Sequence, residues 1–290
     1  MAVLKLPLVA IGSLLSSRFY MRPIFEVGTG RSGTIVLYKA LGRHRAIFSM
    51  PSENPLITYL AECVEPYLQD EQLAYFHKSV LLREPELYRQ LRRLVFETSA
   101  GPQGGWKTLL KGVLSHGPKF FNKSHWCVKC FPMKQHADEL RELFPKAGFI
   151  YIVRNGIDVV QSRSKFPVFS DQPFEAHCES WANAAQKFSY LLNYESAVSV
   201  RHEDLLENPD AVFTKIASGL GLPHDPAPAS FVKTTLVHSQ HEYEIHSNVD
   251  VKKRLQDRPP GHANWSGSQK ETFKSICGQA MEALGYEIPF

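Results

Sequence analysis

Ile24-Phe-Glu-Val-Gly-Thr-Gly-Arg-Ser-Gly-Thr34 is the stretch whose reading decides the fold. Ile24 to Val27 reads as a short apolar run that stops in a glycine-rich loop. Ile35, Leu37, Tyr38 and Leu41 follow at helical spacing, closed by Gly42. Strand, glycine loop and helix in that order make an α/β unit with a phosphate site at the helix start, where unpaired N–H groups and the positive dipole end collect. Gly30 and Gly33 let a phosphate approach the backbone. Arg31 adds a forked cation, and Ser32 and Thr34 add hydroxyls. The loop also satisfies G-x-G-x-x-G, which a dinucleotide-binding fold would share. It lacks the Lys-Ser/Thr ending of a Walker A loop, which counts against nucleoside triphosphate hydrolysis.

Outward from this unit, Ala46 to Met50 is a candidate second strand, and Leu56 to Thr98 reads as mostly helical. Trp126 to Lys129 is a short strand, and Met133, Ala137, Leu140 and Phe144 mark one helix face. Phe149 to Val153 holds no polar residue, the pattern of a strand buried on both faces of a parallel sheet. Helices are expected over Ile157 to Ser164 and Phe174 to Leu192, and a strand over Val198 to Val200. Asn208-Pro209 supplies a cap and a first-turn proline for a helix bearing Val212, Phe213, Ile216 and Leu220. His238 to Asn264 is polar, without apolar period, and reads as a long surface loop. Phe273 to Leu284 is the closing helix. The expectation is an α/β fold with a P-loop-like parallel sheet of about five strands flanked by helices. Residues 1–290 form a single domain in this reading, with 56–105 a helical insertion and 238–264 a mobile basic loop.

Composition narrows the function. A net charge of +4 spread over 290 residues is no nucleic-acid footprint, yet suits a small polyanion. Five cysteines at irregular spacing form no disulfide framework, so a reducing, cytoplasmic compartment is expected. Leu6 to Leu15 is too short to span a bilayer and reads as a leading segment. Cys127 and Cys130 spell C-x-x-C, but no second pair exists, and strand alternation turns them to opposite faces, so no metal is expected.

A second cluster, Arg154-Asn-Gly-Ile-Asp-Val-Val-Gln-Ser162, also runs from a strand end into a helix, with Ser162 about two turns past Arg154. Two strand ends, each with Arg and Ser, imply a ligand with two separate anionic groups, as in a nucleotide phosphorylated at both ends.

At this point the chain resembles the sulfotransferases that use 3′-phosphoadenosine 5′-phosphosulfate (PAPS). Arg31-Ser-Gly-Thr34 is similar to their 5′-phosphosulfate loop. Phe144 to Ser162 resembles their 3′-phosphate segment almost position by position. Arg201 to Pro209 with Leu220-Gly-Leu-Pro223 resembles the strand and helix that come next in the family. The resemblance implies PAPS as co-substrate, bound by Gly30, Arg31, Ser32, Gly33, Thr34, Arg154, Ser162 and Arg258. Lys129-Cys-Phe131 stands where small-phenol members carry Lys-Thr-His, so their base is missing. The carbohydrate and tyrosylprotein branch uses a Glu after the first helix, and Glu53 occupies that place here, with His125 as the fallback base. Glu62 and Glu65 read as solvated. Lys129 and Arg31 would neutralise the leaving and transferring oxygens. The implied acceptor is a hydroxyl or amine of a small molecule, glycan or lipid headgroup. The rival reading is a nicotinamide-dependent oxidoreductase with Glu53 on the ribose.

Overall fold

A computed structural model describes residues 22–50, 92–95, 114, 122–130, 140–141, 143–237, 245–247 and 260–290. Glu53, Arg258, most of the 56–105 segment and most of the 238–264 segment lie outside the described residues.

Five parallel strands carry the fold: β1 (Arg22–Gly28), β2 (Ile47–Ser49), β3 (His125–Lys129), β4 (Gly148–Val153) and β5 (Ala197–Arg201). Their order across the sheet is β2-β3-β1-β4-β5. The order follows from burial. β1 and β4 are buried on both faces and take the centre, whereas β5 alternates buried and half-buried positions and takes an edge. A dinucleotide-binding sheet places its second strand beside the first. Here β3 lies between β2 and β1, so the strand that leads to Glu53 does not adjoin the glycine loop. This overturns the oxidoreductase rival.

α1 (Thr34–Leu41) covers one face of the sheet together with α5 (Pro209–Leu220) and α6 (Ala227–Thr234), burying Leu37, Leu41, Ile150, Ile152, Phe213 and Phe231. The opposite face packs on α2 (Gly156–Ser164), α3 (Phe174–Phe188) and α7 (Gly267–Ala283). Phe25, Trp126, Phe144 and Phe149 meet there with ring centroids 5.6–6.0 Å apart, mostly edge to face. α4 (His202–Glu207) follows β5 directly. The caps obey the sequence. The Asn208 side chain accepts from Ala211 N at 3.3 Å with Pro209 in the first turn, and Ser266 and Gln269 form a capping box on α7.

Three expectations change. Ser189–Asn193 tightens into a 3-10 turn, so the long helix ends at Phe188. Ile245–Ser247 (β7) pairs antiparallel with Thr235–Val237 (β6), which puts one strand of a short two-stranded ribbon inside the stretch from His238 to Asn264 that reads as loop. Three residues are too few for any period to show in the sequence. The apolar run of β1 also hides a carboxyl: Glu26 has no exposed surface.

Candidate anion-binding crevice

The connection out of β1 runs over one face of the sheet toward β2, while the connection out of β4 runs over the other toward β5. Crossovers that diverge in this way leave a crevice at the carboxyl ends of β1 and β4, where ligands of open parallel sheets bind. Both sequence clusters end in it.

The glycine loop turns sharply. Ser32 N donates to Thr29 O at 3.1 Å, the Thr29 and Ser32 hydroxyls bond each other, and Arg31 and Gly33 sit at φ 76° and 86°. Arg31 in the left-handed region is strained for a residue with a Cβ, a feature that concentrates at functional sites. α1 begins at Gly33 with no side chain capping it, so its first N–H groups face the crevice.

From β4, Arg154 Nη1 donates to the Arg31 carbonyl at 3.0 Å, and Ser162 Oγ accepts from Arg31 Nε at 3.1 Å. The two clusters read as separate anion sites therefore form one continuous crevice. Burial, then the charges of Arg154 and Arg163, lower the pKa of Arg31. Arg154 Nε is buried without a hydrogen-bond partner among the described residues. Around it the scaffold is tied down. Asn155 caps α2 by accepting from Ile157 N at 2.9 Å, and its own N–H donates to Glu203 Oε1 at 2.9 Å. Tyr286 donates to the second Glu203 oxygen at 2.9 Å, and Trp181 Nε1 donates to the Arg154 carbonyl at 3.3 Å.

Lys129 ends β3 on the same side of the sheet, in register with Glu26. Burial pushes Glu26 up, opposed by the Lys129 charge, and burial lowers Lys129, opposed by Glu26. Neither Glu26 oxygen has a hydrogen-bond partner among the described residues. A carboxyl kept from water without donors favours its neutral form.

His125, the fallback base, stands at the other end. It opens β3 beside Arg22, about 13 Å along the strand from Lys129. Burial, then Arg22 and His44, lower its pKa to about 4. Position and weak basicity both remove it from the chemistry. Cys127 packs among the α1-side residues and Cys130 among those of the other face, so the C-x-x-C spacing makes no pair.

Arg163, His202, Glu203 and Glu26 were not singled out from the sequence. His202 packs on the loop so closely that a side-chain carbon on Gly33 would stand 2.1 Å from its Cδ2. Its signal was its place after the β5 strand end. Arg163 was marked only by following Ser162.

An α/β sheet with a glycine loop and converging arginines at its switch point defines a site suited to anions. Residues 23–226 match the family model described as "Sulfotransferase family", and the chain belongs to that family. It is a sulfotransferase, an enzyme of sulfuryl transfer. The sulfotransferase domain from the curacin biosynthetic pathway is similar at 17% identity and TM-score 0.50, covering 92% of this chain and 98% of that one. The sulfotransferase domain of the Synechococcus PCC 7002 olefin synthase has 18% identity and TM-score 0.48, with coverage of 92% and 96%. A mouse sulfotransferase, SULT7A1, complexed with PAP, has 13% identity and TM-score 0.48, with coverage of 93% and 89%. Comparison with curated proteins gave no significant match.

Proposed function

We propose that the crevice binds PAPS and that the enzyme moves its sulfuryl group in line onto a hydroxyl or amine of a small metabolite, glycan or lipid headgroup. The observation that carries this reading is the meeting of Arg31, Arg154 and Ser162 at the β1/β4 switch point, with Arg154 Nε buried and unpartnered. A buried guanidinium nitrogen without an acceptor fits a phosphate oxygen.

In this assignment Arg154 and Ser162 hold the 3′-phosphate. Gly30, Ser32, Gly33, Thr34 and the α1 N-terminus hold the phosphosulfate, which supplies the activated sulfuryl group. Arg31 and Lys129 lie where charge develops on the transferring and leaving oxygens, and neutralising it lowers the barrier. Glu53, a few residues past β2, takes the acceptor's proton, as in the glutamate-base branch of the family. Arg258 closes over the 3′-phosphate. No step requires a metal. The buried, unpaired thiols of Cys127, Cys130, Cys178 and Cys277 suit a reducing cytoplasm.

Calorimetry with 3′-phosphoadenosine 5′-phosphate (PAP), 5′-AMP and NAD tests the reading. Charge-assisted hydrogen bonds of about 1.5–3 kcal/mol each to the 3′-phosphate give PAP a preference of about tenfold or more over 5′-AMP. Equal affinities for PAP and 5′-AMP, or tighter binding of NAD, would overturn it.

A further inference from the structure

Arg163 has no place in the nucleotide assignment, yet it is built into the crevice. It follows Ser162 in the last turn of α2, and the residue is only 9% exposed, an unusual depth for an arginine. Its Nε is buried with no hydrogen-bond partner, and no carboxylate among the described residues pairs with it.

The guanidinium is held by aromatic rings. Arg163 Cζ lies 4.2 Å from the centre of the Phe169 ring. Phe169 stacks on Phe166 at 5.7 Å, and Phe166 in turn carries Arg31 at 4.5 Å. One aromatic pair thus steers two guanidiniums into the same crevice. Arg163 reaches the loop at Gly30, where an added methyl carbon would stand 3.5 Å from its Nη1. That places it one residue before Arg31, on the limb of the loop away from the α1 N-terminus.

His177 on α3 adds a further polar atom. It is 1% exposed, and its Nδ1 is buried without a partner. Burial, then the Arg163 charge, lower its pKa, so it stays neutral beside the cation. Arg154 Nε, Arg163 Nε and His177 Nδ1 are three of the buried side-chain atoms without partners among the described residues. Like charges brought together out of water are costly unless an anion completes the set. The 3′-phosphate assigned to Arg154 leaves Arg163 still uncompensated.

We propose that Arg163, backed by His177 and the Phe166–Phe169 pair, forms a third oxyanion subsite beside Gly30, distinct from the two phosphate sites, for a sulfate-like group. The group is either the donor's sulfuryl or an anionic substituent on the acceptor. The inference rests on the nucleotide reading above.

The test is calorimetry in two stages: PAP is bound first, and inorganic sulfate is then titrated onto that complex. The unaltered complex binds sulfate. Arg163→Gln leaves PAP affinity within about twofold and weakens sulfate by at least about tenfold, the loss of one charge-assisted hydrogen bond. Arg163→Lys, which keeps the charge and the buried stem, falls between the two. PAPS without acceptor then distinguishes the sources. If Arg163→Gln weakens PAPS about as much as sulfate, the group is the donor's sulfuryl. If PAPS binding is unchanged while sulfate is lost, the group belongs to the acceptor. Equal sulfate binding by the unaltered and Arg163→Gln complexes would overturn the inference, as would no sulfate binding by the unaltered complex. A PAP loss as large as the sulfate loss would also overturn it. Failure of the unaltered chain to bind PAP at all would instead overturn the nucleotide reading beneath it.

Discussion

At Gly33 two constraints meet in one residue. Its φ of 86° lies in the left-handed region, where a Cβ costs about 1–2 kcal/mol. That same Cβ would enter the His202 ring. Gly33→Ala therefore forces a shift of the loop, of His202, or of both. The expected result is a stability loss of at least about 1–2 kcal/mol in urea unfolding, with PAP binding weakened because the first N–H groups of α1 move off the phosphate. An alanine variant with unchanged unfolding midpoint and PAP affinity would show that the crevice does not depend on this turn. Arg31 shows the complementary case. It accepts a left-handed backbone although it carries a side chain, and its guanidinium is caught between Ser162 and the Phe166 ring.

At the scale of elements, α2 is the part that aims Arg154 and Ser162, and its start is fixed by Asn155. The side chain caps the helix, while the backbone N–H is tied to Glu203, itself anchored by Tyr286 near the carboxyl end of the chain. Asn155→Ala removes the cap and costs about 1 kcal/mol. The accompanying expectation is a loss in PAP affinity greater than the loss for 5′-AMP, because the helix that frays is the one assigned to the 3′-phosphate. Equal losses for both nucleotides would detach α2 from that role. These elements were largely legible in the sequence. The uninterrupted Phe149–Val153 run, the Asn208-Pro209 start and the α7 periodicity are local signals, and each element stands where its signal lies. The pair β6–β7 and the burial of Glu26 were not legible, because both depend on a partner remote in sequence: Thr235–Val237 for the first, Lys129 for the second. The crevice divides the same way. Arg31, Arg154 and Ser162 were marked by their motifs, whereas Arg163 and His202 gain meaning only from what the fold sets beside them.

For the whole molecule, the amino ends of the strands form a second polar zone that governs pH stability rather than chemistry. His44 is fully engaged, with Nε2 donating to the Pro223 carbonyl at 3.0 Å and Nδ1 accepting from Ala46 N at 3.0 Å. Burial lowers both His44 and His125, the latter to about 4 from an ordinary 6.5. The folded state resists a proton that the unfolded chain accepts. Stability is therefore complete above pH 6.5 and falls as pH drops from 6.5 toward 4. For His125, 6% exposed, the loss reaches about 3 kcal/mol. Urea midpoints measured from pH 7 to pH 4 should fall steeply, and His125→Gln should flatten part of that slope. An identical slope in the variant would mean that His125 is already neutral in both states or accessible to protons when folded.

The edge of the sheet holds one more consequence. Met50 N donates to the Cys127 carbonyl at 2.9 Å as the chain leaves β2, and Ser124 N donates to the Ala46 carbonyl at 2.9 Å as it returns to β3. Because β2 and β3 run parallel, departure and return lie at opposite ends of the strand pair, each fixed by its own backbone bond, and the chain between them must cross from the carboxyl end back to the amino end. Loop closure grows costlier only slowly with length, by about 0.6 kcal/mol per doubling. The span from 51 to 121 is also anchored inside, since Val95 is fully buried in the core and Arg92 Nη1 donates to the Leu143 carbonyl at 3.2 Å, so length changes between these fixed points leave the register of β2 and β3 intact. New acceptors are then recruited by changes between these anchors with Glu53 kept, leaving the crevice between β1 and β4 untouched.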